Sequence, residues 1–474
     1  MGLLLNAQYK FLDRYIFNAG IRGDGNSKFG PNNRYGLFPS ASVRWRVSGE
    51  PFMQRAAKYI DDLSFRASYG VVGNAPRNDY SYLNMYQNYG FSYLGSSGVY
   101  PTNIELSDLR WEKVAQSNVG LTIVLLKNRL NMDLDVYRKR TTDLFYPGIA
   151  IPTYNGYSGV DMNVGTMDNQ GWEFSLNYTP VRSQKLRVDF SFNISHNENI
   201  IREIDPLYPR ENNGKITNNN VFKVYIQENN PFGSFYGFKY KGVYKDLNST
   251  VALDENGSQI VGPNGQKVYM RFAYPSVDYV FQPGDAMYED INHDGNIDYK
   301  DIVYLGNGNP NLTGGFGTAV TINGNIRFGA NFSYRTGYQI INGTKINTTS
   351  MYGFNNQSTA VLRRWKTEGD ITDIPRATYA TGYNFLGSDR YVEDGSYLRL
   401  RSITLKYDFN KNMLKRLGIK ALSANVMVEN VLTFTKYTGQ DPEVPVKLTA
   451  FSTVIDNSTT PPIKTITLGL TANF

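Results

Sequence analysis

The stretch TITLGLTANF, Thr465 to Phe474, alternates apolar with small polar residues and ends on an aromatic. Ile466, Leu468, Leu470, Ala472 and Phe474 fall on one face of an extended chain; Thr465, Thr467, Gly469, Thr471 and Asn473 fall on the other. Successive side chains of a strand point to opposite faces, so this is a strand with one apolar face. The pattern recurs upstream. Leu130, Met132, Leu134 and Val136 alternate with Asn131, Asp133 and Asp135, and Trp172, Phe174, Leu176 and Tyr178 alternate with Glu173, Ser175, Asn177 and Thr179. Residues 186–195 and 326–335 repeat it. A soluble sandwich also makes such strands, so alternation needs a second criterion.

The connections supply it. Lys127-Asn128, residues 179–185 and Asn323-Gly324-Asn325 are tight turns, and the last is a hairpin signal. Between them lie long polar stretches near 144–170, 197–219, 245–311, 338–395 and 433–462. Soluble domains rarely carry several structureless loops beyond about 15 residues. Transmembrane β-barrels have this asymmetry, with short periplasmic turns and long extracellular loops. The expected fold is all-β: a transmembrane antiparallel β-barrel of the Gram-negative outer membrane, spanning 1–474, with 245–311 a long extracellular loop.

Composition agrees. The 36 Tyr and 26 Phe suit girdles where amphipathic rings sit at headgroup level. Mean hydropathy is −0.42, and no apolar run reaches the ~20 residues of a membrane helix, as expected for a barrel. There is no Cys, so disulfide and thiol chemistry are excluded. Only His196 and His293 are available for histidine-based metal or catalytic sites. The net charge of +7 is spread along the chain, as on a solvated surface, and its basic residues can also meet acidic lipopolysaccharide or an anionic substrate. No P-loop, nucleophile elbow or dinucleotide fingerprint has supporting context, so neither an enzyme nor a nucleic-acid partner is expected.

Strands are expected near 3–11, 14–23, 35–48, 62–73, 113–127, 129–143, 171–180, 185–196, 220–227, 234–244, 312–323, 326–337, 396–408, 421–432 and 463–474. A short helix is expected over 50–61, with Phe52, Met53, Ala56 and Ile60 on one face. Counting upward from a descending last strand puts every tight turn on the periplasmic side and makes the first strand descend too. The number, about fifteen, is therefore odd, whereas single-chain bacterial barrels are even-numbered. The expectation is a carboxyl-terminal share of a larger barrel of about 22 strands, with signal, plug and first strands absent.

Several passages resemble the carboxyl-terminal part of the SusC/RagA family of TonB-dependent outer-membrane transporters of Bacteroidetes. They are EPFMQ (50–54) through LSFRASYGVVGN (63–74), RLNMDLDVYRKRTTDLF (129–145), MDNQGWEFSL (167–176), RRWKTEGD (363–370) with IPR (374–376), DGSYLRLRSITLKYDF (394–409) and VENVLTFTKYTGQDPEV (428–444). The resemblance covers essentially the whole chain. It implies active import of oligosaccharides, or peptides in some members, coupled to TonB and closed by a SusD-like surface lipoprotein. Alternatives are a passive porin or surface-binding barrel, and a secreted calcium-binding β-protein.

The sharpest local motif is DINHDGNIDYKD. It sets Asp290, Asn292, Asp294, Asn296, Asp298 and Asp301 at positions 1, 3, 5, 7, 9 and 12, with Gly295 at 6 and Ile297 at 8. That spacing is of the EF-hand type, in which hard oxygens converge on Ca2+ and position 7 supplies its backbone carbonyl. An Asp/Asn/Gly turn cluster capped by its own side chains is the competing reading. The expected role is a structural calcium in an extracellular loop. The loop from Asn78 to Tyr100, with Tyr80, Tyr82, Tyr86, Tyr89, Phe91 and Tyr93, fits either sugar stacking or self-packing. Asp133, Asp135 and Glu173 are expected in lumen charge networks with Arg. Phe474 is expected to end the last strand as the aromatic signal read by barrel assembly.

Overall fold

In the computed structural model the structure describes residues 1–474 apart from 77–78, 81, 158, 207–210, 212–215, 275, 411–413, 415–417 and 446–451. Thirteen strands form one antiparallel sheet in simple chain order. They are β1 (Gly2–Phe11), β2 (Tyr15–Gly25), β3 (Tyr35–Arg46), β4 (Ile60–Asn74), β5 (Glu112–Leu125), β6 (Leu130–Thr142) and β7 (Thr166–Arg182). They continue as β8 (Leu186–Glu203), β9 (Leu312–Ile322), β10 (Ile326–Thr336), β11 (Tyr397–Asp408), β12 (Ala421–Thr435) and β13 (Thr465–Asn473).

Short and long connections alternate from β4 onward. The links β1–β2, β5–β6, β7–β8 and β9–β10 take a few residues at one end; β8–β9 and β10–β11 take 204–311 and 337–396 at the other. The alternation of sequence becomes two faces through the register. Leu134 stands opposite Leu121 on β5 and Phe174 on β7, and this outward face is apolar. On β13, Ile466, Leu468 and Leu470 are exposed. Across β2, β3 and β4 the paired Tyr15, Trp45 and Phe65 stack side by side, with centroids 6.5 and 6.3 Å apart, at the short-turn end. That aromatic row is one girdle of a membrane band.

The expected strand number of about fifteen is corrected to thirteen. Residues 220–227 and 234–244 alternate well enough, but their apolar face meets protein, not lipid: Phe222, Val224, Ile226, Phe235 and Phe238 are buried. Within 220–227 only isolated bridges form, and Ser234–Gly237 and Tyr240–Val243 pair with short strands of the same connection. The helix expected over 50–61 is a 3-10 turn, Pro51–Ala56, and Ile60 already begins β4. Glu50 precedes it, gripped by Arg14 (2.7 Å), the Tyr15 hydroxyl (2.6 Å) and Trp45 Nε1 (3.0 Å), which fixes the turn under the aromatic row.

The two longest connections pack together as a lobe with its own core. Phe238, Phe272, Phe281, Ala286, Tyr288 and Ile297 from the first meet Leu386 from the second. Stretches that look polar in sequence therefore carry the largest buried cluster in the molecule, among the described residues.

Candidate functional site

The inward face of the sheet is polar and charged. On β4, Arg66 reaches Asp135 (Nη2, 2.5 Å) and Asp133 (Nη1, 3.4 Å) on β6, and Thr122 lies between them on β5. Gly120 makes room: a Cβ there would collide with the Arg66 side chain and the Asp135 carboxylate. Asp133 and Asp135 thus sit in the charge network expected of them on the polar face of the wall; among the described residues Glu173 forms none of its ion pairs.

The calcium-type loop sits in the lobe. Its motif residues are linked by short-range hydrogen bonds within 290–301, through a two-residue strand at Asn296–Ile297 and the 3-10 turn that follows. Ile297 is fully buried and bridges Phe272, so position 8 anchors the loop to the lobe core. Full burial of such a side chain contributes ~1.5–3 kcal/mol. Gly295 takes φ +83°, the left-handed conformation that the sharp turn demands. Asp290 accepts from the backbone N–H of Gly295 (2.7 Å) and Asp294 (3.3 Å), and Asp301 from Ile291 and Asp298 (2.8 Å each). Asp294 accepts from Asn296 N (2.9 Å), Asn292 Nδ2 (2.8 Å) and Lys300 Nζ (2.9 Å). Asp298 caps the 3-10 turn Tyr299–Asp301 through Lys300 N (2.7 Å).

The electrostatics are uneven. Burial, reinforced by neighbouring carboxylates, pushes Asp290 and Asp301 above the ordinary carboxylate range. Burial also acts on Asp294, but hydrogen bonds from Lys300, Asn292 and Asn296 hold it below that range. Asn292 Oδ1 is buried with no hydrogen-bond partner among the described residues. As arranged, the carboxylates are occupied by N–H groups and Lys300, and no three acidic side chains form a ready metal cluster among the described residues. The donor set is that of a hard cation, and the orphaned amide oxygen is the atom such an ion would satisfy.

Three ionic ties were not legible in sequence, because their partners lie far apart in the chain. Asp168 on β7, fully buried, is held by Arg138 (2.6 Å), Arg140 (2.8 Å) and Arg202 (2.8 Å). Arg399, buried, bonds Asp441 (2.6 Å) and Glu443 (3.0 Å), so the passages DGSYLRLR and QDPEV are two halves of one contact. Arg376, of the IPR passage, bonds the buried Asp285 (2.8 Å) and ties the two long connections together.

The aromatic loop divides. Tyr82 packs beside the buried cluster of Phe29, Phe38, Leu109 and Trp111. Tyr86–Tyr93 and Ser96–Pro101 instead form a hairpin on which Tyr86, Tyr89 and Phe91 are exposed. Asn78 and Ser81 of this loop lie outside the described residues. Phe474 follows the last residue of β13 and is exposed.

Known proteins share this architecture. The family model described as TonB dependent receptor-like, beta-barrel, matches residues 2–263. The chain is 32% identical to TonB-dependent receptor P39 of Formosa agariphila over 98% of its own length and 45% of that protein's. It is 28% identical to TonB-dependent receptor SusC of Bacteroides thetaiotaomicron over 98% of itself and 43% of SusC. Among solved structures, the RagAB peptide transporter superposes with a TM-score of 0.77 at 23% identity, covering 99% of this chain and 47% of that one. The chain thus spans a little under half the length of the relatives it matches. The short-turn, long-loop meander, its outward apolar band and the match over residues 2–263 lead to one assignment: the chain belongs to the TonB dependent receptor-like β-barrel family of outer-membrane proteins, within which it is similar to SusC.

Proposed function

We propose that this chain forms part of the wall and an extracellular lobe of an outer-membrane nutrient importer. Its cargo is an oligosaccharide or a peptide, TonB energises uptake, and a SusD-like lipoprotein closes the outer face. The observation that carries this reading is the combination of a charged inward wall with a large, internally packed lobe at the long-loop end. A passive pore has little use for such a lobe. The peptide alternative draws support from RagAB, a peptide transporter by its description. The test is uptake of labelled oligosaccharides and peptides by cells with and without TonB. Loss of uptake without TonB is expected; uptake that persists unchanged would leave the passive-pore reading standing.

We propose further that residues 290–301 take up calcium as a structural ion. Asp290, Asn292, Asp294, Asp298 and Asp301 would hold it with side-chain oxygens, and Asn296 with its backbone carbonyl. The ion would supply positive charge where burial raises two carboxylates and would satisfy Asn292 Oδ1. Calorimetric titration of the full chain with calcium tests this. Asp290→Asn and Asp294→Asn should each abolish the binding heat, and unchanged binding refutes the site.

A further inference from the structure

The tie at Asp168 lies on the outward face of the wall. Register fixes this: Leu134 pairs with Phe174 and Val136 with Trp172 on the apolar side, and two and four residues further along β6 come Arg138 and Arg140, opposite Gln170 and Asp168. Arg202, at a bulge near the end of β8, reaches the same carboxylate. All three arginines stand at the long-loop end, just above the apolar band. Two to four residues of strand, at ~3.3 Å each and tilted ~40°, raise them ~5–10 Å beyond that band. This is the depth of the headgroup layer, which adds ~5–8 Å to each side of the ~30 Å hydrocarbon core.

Asp168 uses few of the available donors. Arg138 spends Nη2 on it, Arg140 spends Nε and Nη2, and Arg202 spends Nε, with Nη1 at 3.4 Å from Asn229. A guanidinium carries five N–H groups in a fixed fork, so among the described residues most remain for an external acceptor. The arginine side chains keep 50%, 44% and 32% of their surface exposed. Lys113 on β5, opposite Thr142, adds a cation. Two carboxylates face the group from β8: Glu198, bonded by Gln170 (3.3 Å), and Glu203, bonded by Thr166 (3.4 Å). Below Arg138 opens an outward groove of about 450 Å3, lined by Val119, Val136, Trp172, His196 and Glu198.

We infer that this arginine cluster is a binding site for the phosphate of an outer-leaflet lipid headgroup, with the adjoining Trp172 groove seating the lipid's less polar part. Asp168 is its positioning residue. It holds three guanidinium groups together against their mutual repulsion and aims their spare edges outward. An outward surface at this height in an outer-membrane barrel meets lipid headgroups, and bidentate arginine–phosphate contacts are the chemistry that a guanidinium fork offers.

The test uses the full-length protein extracted in mild detergent. Retention of phosphorylated and dephosphorylated lipid A is measured by native mass spectrometry, with inorganic phosphate as a competing arm. Phosphorylated lipid is expected to be retained preferentially. Arg138→Gln and Arg140→Gln should each lower its affinity about fivefold, from the typical weight of one cationic residue at an anionic surface. Arg138→Lys, which keeps the charge but loses the fork, should lose part of the binding, and an unchanged heat-modifiable band on unheated gels for each variant shows that a loss in Arg138→Gln is not misfolding. Equal retention of both lipids, or unaltered retention in both Gln variants, overturns the inference. So does displacement of bound lipid by inorganic phosphate at equal concentration, because the site would then be a general anion site.

Discussion

Replacing Arg376 with leucine should loosen the lobe and leave the barrel wall unchanged. Asp285 is fully buried and accepts from Arg376 Nε (2.8 Å), the Tyr279 hydroxyl (2.7 Å) and Gln282 N (2.8 Å). Removing one partner of a buried ion pair costs ~3–5 kcal/mol, because the other charge stays buried alone. Two neutral donors remain to Asp285, and the Arg376 side chain is itself 33% exposed, so the cost falls to ~2–3 kcal/mol. At 1.4 kcal/mol per factor of ten, lobe amides that exchange by opening this unit should exchange ~30- to 150-fold faster. Hydrogen-exchange mass spectrometry on peptides covering 277–288 and 374–386, with β6 and β7 peptides as reference, reads this directly. The double variant Arg376→Leu with Asp285→Asn, which removes the stranded charge, should recover much of the protection. Unchanged lobe exchange in the single variant, or equal loosening in the double, refutes the reasoning.

The calcium-type loop gives a pH prediction. Asp290 and Asp301 are raised above their ordinary 3.8 in the folded loop, so folding favours their protonated forms. Their cost is absent below that value and fully present above the raised one. Calcium should therefore slow exchange of residues 290–301 at neutral pH, and this protection should fade as pH falls through the raised values; protection that persists below 3.8 would contradict it. Gly295→Ala forces a β-carbon into left-handed backbone and to 3.1 Å from the Ala252 Cβ, a strain of ~1 kcal/mol or more that should weaken calcium binding at least fivefold by calorimetry. Phe474→Ala should reduce the amount of heat-modifiable, membrane-assembled protein while leaving total synthesis unchanged, as read on unheated gels; full assembly would remove Phe474 from any signalling role.

The wall was legible because it obeys one rule. A strand between lipid and water must alternate, so the ranges that alternation marks, 113–127, 129–143 and 312–323, lie within two residues of the observed ends. The lobe was not, for the same reason. Phe222, Val224 and Ile226 alternate like a wall strand, and periodicity reports only that one face is dry, not whether lipid or protein dries it. The calcium-type loop could be read from spacing alone because all its donors lie within twelve positions. Asp168 with its arginines, and Arg399 with Asp441 and Glu443, could not, since charge pairs separated by 28 to 44 residues leave no local period.

The lobe also sets an order of events. Its core is closed by bonds that span almost a hundred residues: Asn384 to the Ala286 amide, the Tyr288 hydroxyl to the Tyr383 carbonyl, and Arg376 to Asp285. Between their two halves run β9 and β10, so the core closes only when both long connections have reached the same end of the wall. Until then Asp285 lacks its cation, and Phe238, Phe272 and Tyr288 lack the cover that Leu386 and Tyr383 supply. Loop closure over such a span is slow, so the lobe is the last part of this region to become native. The aromatic core of the lobe is therefore a late product of assembly, uncovered in any intermediate that has only one of the two connections in place.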